Sequence, residues 1–219
     1  MWALWKDALK NKRFVIHFAI SILGLIAFAA VLPYFFIEVL LPKPGVALTD
    51  PILNFFTPKD WSITIFVFIY LCTLLSIIFN FAKPQLILVG LQTYVVVNFM
   101  RLISLYLFTL EAPEGTIPLS DPFLTVFAYG QAVYVKDLFF SGHISTLSVL
   151  FFIEQRKSLR YLILASTFLV ALLLAWQRVH YTLDMVAAPI ITWFVFRFFK
   201  QIESRSILKN DSNYSASKE

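Results

Sequence analysis

A single cysteine, Cys72, stands in the whole chain, so an internal disulfide framework is impossible and a cysteine-based metal site has no ligands to use. Set in an apolar run, Cys72 reads as a small buried residue. Charge is also scarce: 14% of the 219 residues are charged and 59% are hydrophobic, with a mean hydropathy of +0.78. Soluble domains carry about 25% charged residues, and no soluble globule hides this much apolar surface. The formal net charge is +5, but the basic residues are scattered between hydrophobic segments. They do not form the basic, aromatic-interleaved cluster that nucleic acid needs, and no nucleic-acid partner is expected. There are three histidines, no internal repeat and no separate soluble domain.

What the chain does have is long apolar runs, several near the roughly 20 residues an α-helix needs to cross about 30 Å of hydrocarbon. Hydropathy predicts an all-α, polytopic membrane protein with six spans: 14–40, 61–81, 85–110, 138–153, 159–177 and 181–199. The 24 phenylalanines suit lipid contact, and Trp2, Trp5, Trp61, Trp176 and Trp193 read as interfacial belt residues. Residues 1–13 read as a cytoplasmic interfacial segment, 14–200 as the membrane domain and 201–219, rich in Ser, Lys and Asn, as a disordered cytoplasmic tail. Ala27-Phe28-Ala29 resembles a signal-cleavage site, but the apolar run continues through Phe36, the length of a permanent anchor. The fourth segment is short and opens on Ser141, Gly142 and His143, which suits a partly buried or water-lined helix.

Basic residues set the orientation. Lys6, Lys10, Lys12, Arg13, Lys83, Arg156, Lys157, Arg160, Arg197, Lys200 and Arg205 all fall on one side of the six spans. The positive-inside rule therefore predicts both termini in the cytoplasm and the sparser, more acidic loops on the outer face, be it periplasmic, extracellular or lumenal. The longest outer loop, 111–137, contains Pro113, Gly115, Pro118 and Pro122, which predict an irregular cap or re-entrant turn.

Two motifs reach that outer level: Lys136-Asp137-Leu138-Phe139-Phe140-Ser141-Gly142-His143 and Arg178-Val179-His180-Tyr181-Thr182-Leu183-Asp184. His180 and Asp184 are four apart, so on a helix they share a face. The carboxylate then orients one ring nitrogen and frees the other as nucleophile or base. Ser141-Gly142 at a helix start suits an anion, since unpaired N–H groups and the positive dipole end point at it, and His143 is placed to protonate a leaving oxygen. Ionisable groups in spans are costly and mark function, and here they converge at one depth. Asp137 and Glu111 are read either as partners of a histidine or as ordinary loop charges. Glu114 and Asp121 are read as solvated charges, and His17 as a packed or interfacial histidine without polar company.

Ser141-Gly142-His143 followed by His180-Tyr181-Thr182-Leu183-Asp184 resembles the paired motifs of the sphingomyelin synthase-like branch of the type 2 phosphatidic acid phosphatase (PAP2) superfamily, over residues 98–190. The resemblance implies a six-transmembrane-helix bundle without a metal or other cofactor. His180 would attack phosphorus to form a phospho-histidine, Asp184 would orient it, and His143 would shuttle the leaving-group proton. The stretch Met100-Arg101 to Leu110 also resembles that branch's arginine-containing third span, which makes Arg101 a candidate for a phosphate contact or for an ion pair. With Ser141, Gly142, Arg178, Lys136, Asp137, Glu111 and Tyr181, it completes the candidate substrate-binding set.

The chain also departs from the wider superfamily. The lysine-and-arginine first motif is missing, and Leu174 stands where a second-motif arginine is expected, leaving Arg178, Lys136 and Arg101 to offset phosphate charge. Ile144 replaces the threonine common after Ser-Gly-His in the resembled branch. The missing arginines favour head-group transfer from a phospholipid donor to an acceptor such as ceramide or diacylglycerol over plain lipid phosphate hydrolysis, whereas Ile144 sets the chain apart from true sphingomyelin synthases. A head-group-binding transporter or scramblase is the non-enzymatic alternative.

Overall fold

A computed structural model describes residues 2–121 and 136–216, with residues 204–216 described as backbone only. Helix α1 spans Trp2–Lys10 and α2 spans Lys12–Tyr34, continued by a π-helical segment, Phe35–Leu40. Between α1 and α2, the Asn11 side chain accepts from the N–H groups of Arg13 and Phe14, a cap that restarts the chain in a new direction. The wider winding begins shortly after Pro33, which has no N–H to contribute. Helices α3 (Ser62–Asn80), α4 (Pro84–Leu107), α5 (Gly142–Ile153), α6 (Lys157–Trp176) and α7 (Thr182–Ala216) follow. Pro84 opens α4 at a position where a missing N–H costs nothing. The loops carry one short 3-10 turn, Leu53–Phe55, and an isolated parallel bridge between Val46 and Leu110.

Five helical segments are long and apolar enough to cross a membrane: Lys12–Leu40, Ser62–Asn80, Pro84–Leu107, Lys157–Trp176 and Thr182–Glu203. This pattern fits a multi-pass membrane protein. Among the described residues the expected sixth span falls short, because α5 has 12 residues and rises only about 18 Å at about 1.5 Å per residue. The hydropathy reading started it at Leu138. The helix starts at Gly142 because the carbonyls of Phe139 and Phe140 are taken by Ser104 Oγ and Arg101 Nε, each at 2.9 Å. At the other end of the sequence, α7 runs to Ala216, past the boundary at residue 200 that composition suggested. No glycine or proline stands after Pro189 to stop it. Of the long loop 111–137, expected on the outer face, Pro122 and the residues up to 135 lie outside the described residues.

Helix α5 sits inside the bundle, packed against α3, α4, α6 and α7. Leu147 and Ile144 are fully buried there, and Ser145 and Ser148 turn their hydroxyls onto the carbonyls of Ser141 and Ile144 one turn back. Helix α4 packs on α2, α5 and α7, whereas α2 is peripheral. A side chain on Gly24 of α2 would meet Val95 Cγ1 of α4 at 2.8 Å, so glycine permits the close backbone approach by which membrane helices associate.

The bundle has two distinct ends. At the basic end, Trp5 Nε1 donates to the Phe81 carbonyl at 2.7 Å and Lys83 Nζ to Gln155 Oε1 at 2.7 Å. Buried Glu154 accepts from Asn80 Nδ2 and from the N–H groups of Gln155 and Arg156, closing the turn into α6. His17 also has polar company here, contrary to the sequence reading, with Nδ1 at 3.3 Å from Glu203 Oε1.

At the histidine end the loops converge on Gln177, fully buried after α6. Its Oε1 accepts from Trp61 N–H at 2.8 Å, and its Nε2 donates to Ser62 Oγ at 3.0 Å and the Ile117 carbonyl at 3.1 Å. Gln177→Leu leaves the part-buried Trp61 N–H and Ile117 carbonyl without these partners. It should lower stability by about 1–3 kcal/mol per orphaned group. Thermal unfolding in detergent, compared with exposed Gln155→Leu, checks this, and equal midpoints would contradict it.

Candidate active site

Two helix starts meet at the histidine end. Ser141 is the N-cap of α5, with its hydroxyl accepting from Ile144 N–H, and its own N–H donates to the Asp184 carbonyl in the first turn of α7 at 3.2 Å. That bond ties the two sequence motifs together. The positive ends of both helices are thereby brought to one place, which favours an anion.

The segment leading to His180 is shaped by the end of α6. Val179 N–H reaches back to the Leu174 carbonyl and Arg178 N–H to the Ala175 carbonyl, each at 3.0 Å. This is the Schellman arrangement, in which the residue past the cap adopts the left-handed conformation and is usually glycine. Here it is Arg178, with φ of 57°. Glycine is not required because other bonds hold the residue. Its Nη1 donates to the Glu114 carbonyl at 2.8 Å and its Nη2 to the Phe56 carbonyl at 3.2 Å, while its own carbonyl accepts from Thr116 Oγ1 at 2.7 Å.

His180 follows in a bend, so the shared helical face expected from the four-residue spacing is not how it meets Asp184. Asp184 stands in the first turn of α7 and its Oδ2 accepts from Tyr181 N–H at 3.0 Å, half of a capping box. The same oxygen lies 3.6 Å from His180 Nδ1. Both residues are fully buried. The His143 ring lies 5.7 Å from that of His180 and 5.7 Å from Phe66, in edge contacts. His143 Nδ1, both ring nitrogens of His180 and Asp184 Oδ1 have no hydrogen-bond partner. Buried polar atoms left this way each cost about 1–3 kcal/mol, a concentration characteristic of sites that receive a polar ligand.

Arg101 is the cation the structure brings to this place. Buried on α4, it donates through Nε to the Phe140 carbonyl, contacts Asn98 Oδ1 at 3.4 Å and pairs with Asp137. Its guanidinium lies against Gly142, where an added Cβ would come within 2.5 Å of Nη1. Gly142 is therefore needed for the arginine as much as for the helix start. Asp137, open between two roles in the sequence, is the arginine's counter-ion.

The remaining candidates are occupied elsewhere. Lys136 Nζ pairs with Glu111 Oε1 at 2.8 Å and donates to the Lys43 carbonyl at 2.7 Å. Tyr181, buried, accepts from Leu48 N–H at 3.1 Å and donates to the Glu111 carbonyl at 3.0 Å. Arg178 holds Glu114 and Phe56, as above. These three were expected at substrate. Their polar groups instead fasten loops at the histidine end, because the irregular backbone there needs partners. Ser141 likewise spends its hydroxyl on the helix cap. Asp121, read as solvated, accepts from Tyr70 Oη at 2.8 Å. Asp50, unmarked by any motif, accepts from Thr182 N–H at 2.6 Å and so caps α7.

Residues 136–202 match the family model described as PAP2 superfamily, C-terminal. The match supports a PAP2-superfamily assignment. It covers both histidine motifs, α5, α6 and α7 as far as residue 202, and does not include Arg101. A search of curated proteins returned no match. Leu174, where the superfamily's second-motif arginine was expected, is fully buried.

Two outcomes test this geometry. Gly142→Ala should destabilise the fold by about 1–3 kcal/mol through overpacking. In the Arg101→Ala background the same change should cost far less, so a thermal double-mutant cycle that proves additive would refute the contact. The second concerns Glu111. The hydrogen bond from Lys136 holds its carboxyl below the usual value, with the Gly45 N–H adding to the effect and burial opposing it. A lowered folded-state value contributes stability that is complete above the ordinary glutamate pKa of about 4.3 and is lost as pH falls through the lowered value. Hydrogen exchange at Gly45 should therefore quicken only below about pH 4, and the step should vanish in Glu111→Gln.

Proposed function

We propose that the protein is a lipid head-group phosphotransferase of the sphingomyelin synthase-like kind, working through a phospho-histidine on His180. The observation that carries this reading is the pair of imidazoles 5.7 Å apart with unpartnered nitrogens, where two helix starts meet. The PAP2-superfamily match over the same residues supports lipid phosphatase or phosphotransferase chemistry.

Nδ1 of His180 faces Asp184, so Nε2 is the nucleophile. The carboxylate holds the Nδ1 proton and stabilises the charge that develops on the ring. At 3.6 Å the contact is longer than a hydrogen bond and tightens as substrate binds. Nε2 attacks phosphorus and the phosphorus–oxygen bond to the donor lipid breaks. The leaving oxygen takes a proton from protonated His143. In the second half, neutral His143 removes a proton from an acceptor hydroxyl, whose oxygen attacks phosphorus as the bond to His180 breaks. Both histidines return to their starting states. Arg101 and the N–H groups at the starts of α5 and α7 offset phosphate charge.

The second half separates transfer from hydrolysis: a lipid alcohol such as ceramide or diacylglycerol gives a new phospholipid, and water gives a PAP2-type phosphatase. Leu174 in place of an arginine favours transfer, because the site lacks that cation for a free phosphate product. We further propose that the basic end faces the cytoplasm and the histidines face outward, since most of the lysines and arginines flanking the spans gather at the end opposite the histidines.

Purified protein given labelled phospholipid with and without an acceptor alcohol should make product only with the acceptor. His180→Ala and Asp184→Asn should abolish turnover while keeping the wild-type unfolding midpoint, and His143→Ala should slow it by about 10²–10⁴-fold, the usual worth of a general acid–base. Full activity of His180→Ala ends the covalent mechanism. Phosphate release without acceptor replaces transfer by hydrolysis, and binding without any product favours the transporter.

A further inference from the structure

The basic end holds a cavity of about 270 Å³ between α4, the α5–α6 turn and α7, remote from the histidines. Its walls differ in character. Leu86, Val89, Phe152 and Phe196 line it with apolar surface, while Gln155, Arg160 and Lys200 supply polar and charged groups at its mouth. The size falls just below the roughly 300–1,000 Å³ of pockets for drug-sized ligands, room for a head group with its glycerol but not for a whole lipid.

We propose that this cavity binds the phosphate head group of an anionic phospholipid of the surrounding leaflet. Arg160 and Lys200 are both exposed and have no carboxylate partner among the described residues. Each instead rests on an aromatic ring of the same region, Arg160 at 4.5 Å from the Phe151 centroid and Lys200 at 5.6 Å from that of Phe196. Lys83 is tethered to Gln155 at the same level and adds a third positive charge. The acid in the lining, Glu154, is buried, and both its oxygens accept hydrogen bonds from Asn80, Gln155 and Arg156, so its charge is turned into the protein. Two cations converging over a cavity with apolar walls match a phosphodiester carrying acyl chains, which continue along α4 and α7 into the bilayer. A free anion would find no use for those walls. The site does not depend on the chemistry proposed for the histidines.

Native mass spectrometry of the full chain, offered phosphatidylglycerol and phosphatidylcholine in equal amounts, tests this. The wild type and His180→Ala should both retain phosphatidylglycerol preferentially. Arg160→Gln with Lys200→Gln should lower that retention about twenty-five-fold, since each membrane-surface cation contributes about a fivefold attraction. Arg160→Lys with Lys200→Arg should keep it. The control Lys12→Gln with Arg13→Gln removes as much charge from the same end, outside the cavity lining, and should also keep it. Equal loss in that control means diffuse attraction and overturns the site. So does retention lost in His180→Ala, which places the lipid at the histidines, or displacement by excess inorganic phosphate, which makes it a free-anion site.

Discussion

Backbone without a helix must still be hydrogen-bonded, and inside an apolar bundle there is no bulk water to do it. This constraint organises the histidine end. The residues before α5 and those between α6 and α7 are irregular, and their polar groups are met by side chains sent from neighbouring helices: Arg101 and Ser104 from α4, Gln177 from the end of α6, and Asp184 from α7. The bond from Ser141 N–H to the Asp184 carbonyl joins the start of α5 directly to the first turn of α7. Hold that bond, and both histidines follow.

The same constraint explains why so few charged residues are free at the site. Lys136, Arg178 and Tyr181 stand within the motifs and Glu111 in the loop that precedes them, yet each is used to fasten loops. Arg101 differs in serving two purposes at once. It satisfies the Phe140 carbonyl and also places a buried guanidinium against the glycine that starts α5.

The sequence carried much of this openly. Hydropathy located the long helices to within a few residues, apart from the far end of α7, because segments such as 62–80 are predominantly apolar and leave little ambiguity. The two motifs pointed to His143, His180 and Asp184, which the fold assembles. What sequence reading missed depended on tertiary partners. The start of α5 moved from Leu138 to Gly142 because distant side chains claim the carbonyls before it. His180 was placed on a helix because spacing suggests one, whereas a left-handed Arg178, without the glycine that usually signals such a turn, puts it in a bend. Gln177, Asp50 and Glu154 carry no motif. A polar residue at the edge of an apolar run was their only signal.

The shortness of α5 also bears on how the protein is made. A segment that spans about 18 Å and is enclosed by four other helices has too little apolar length to settle in a bilayer by itself. Helix α6, 20 residues long and joined to it by a brief turn, is long enough. Insertion of α5 is then a property of the hairpin rather than of the segment, and the histidine-end residues at its start enter the membrane only as passengers of the helix that follows.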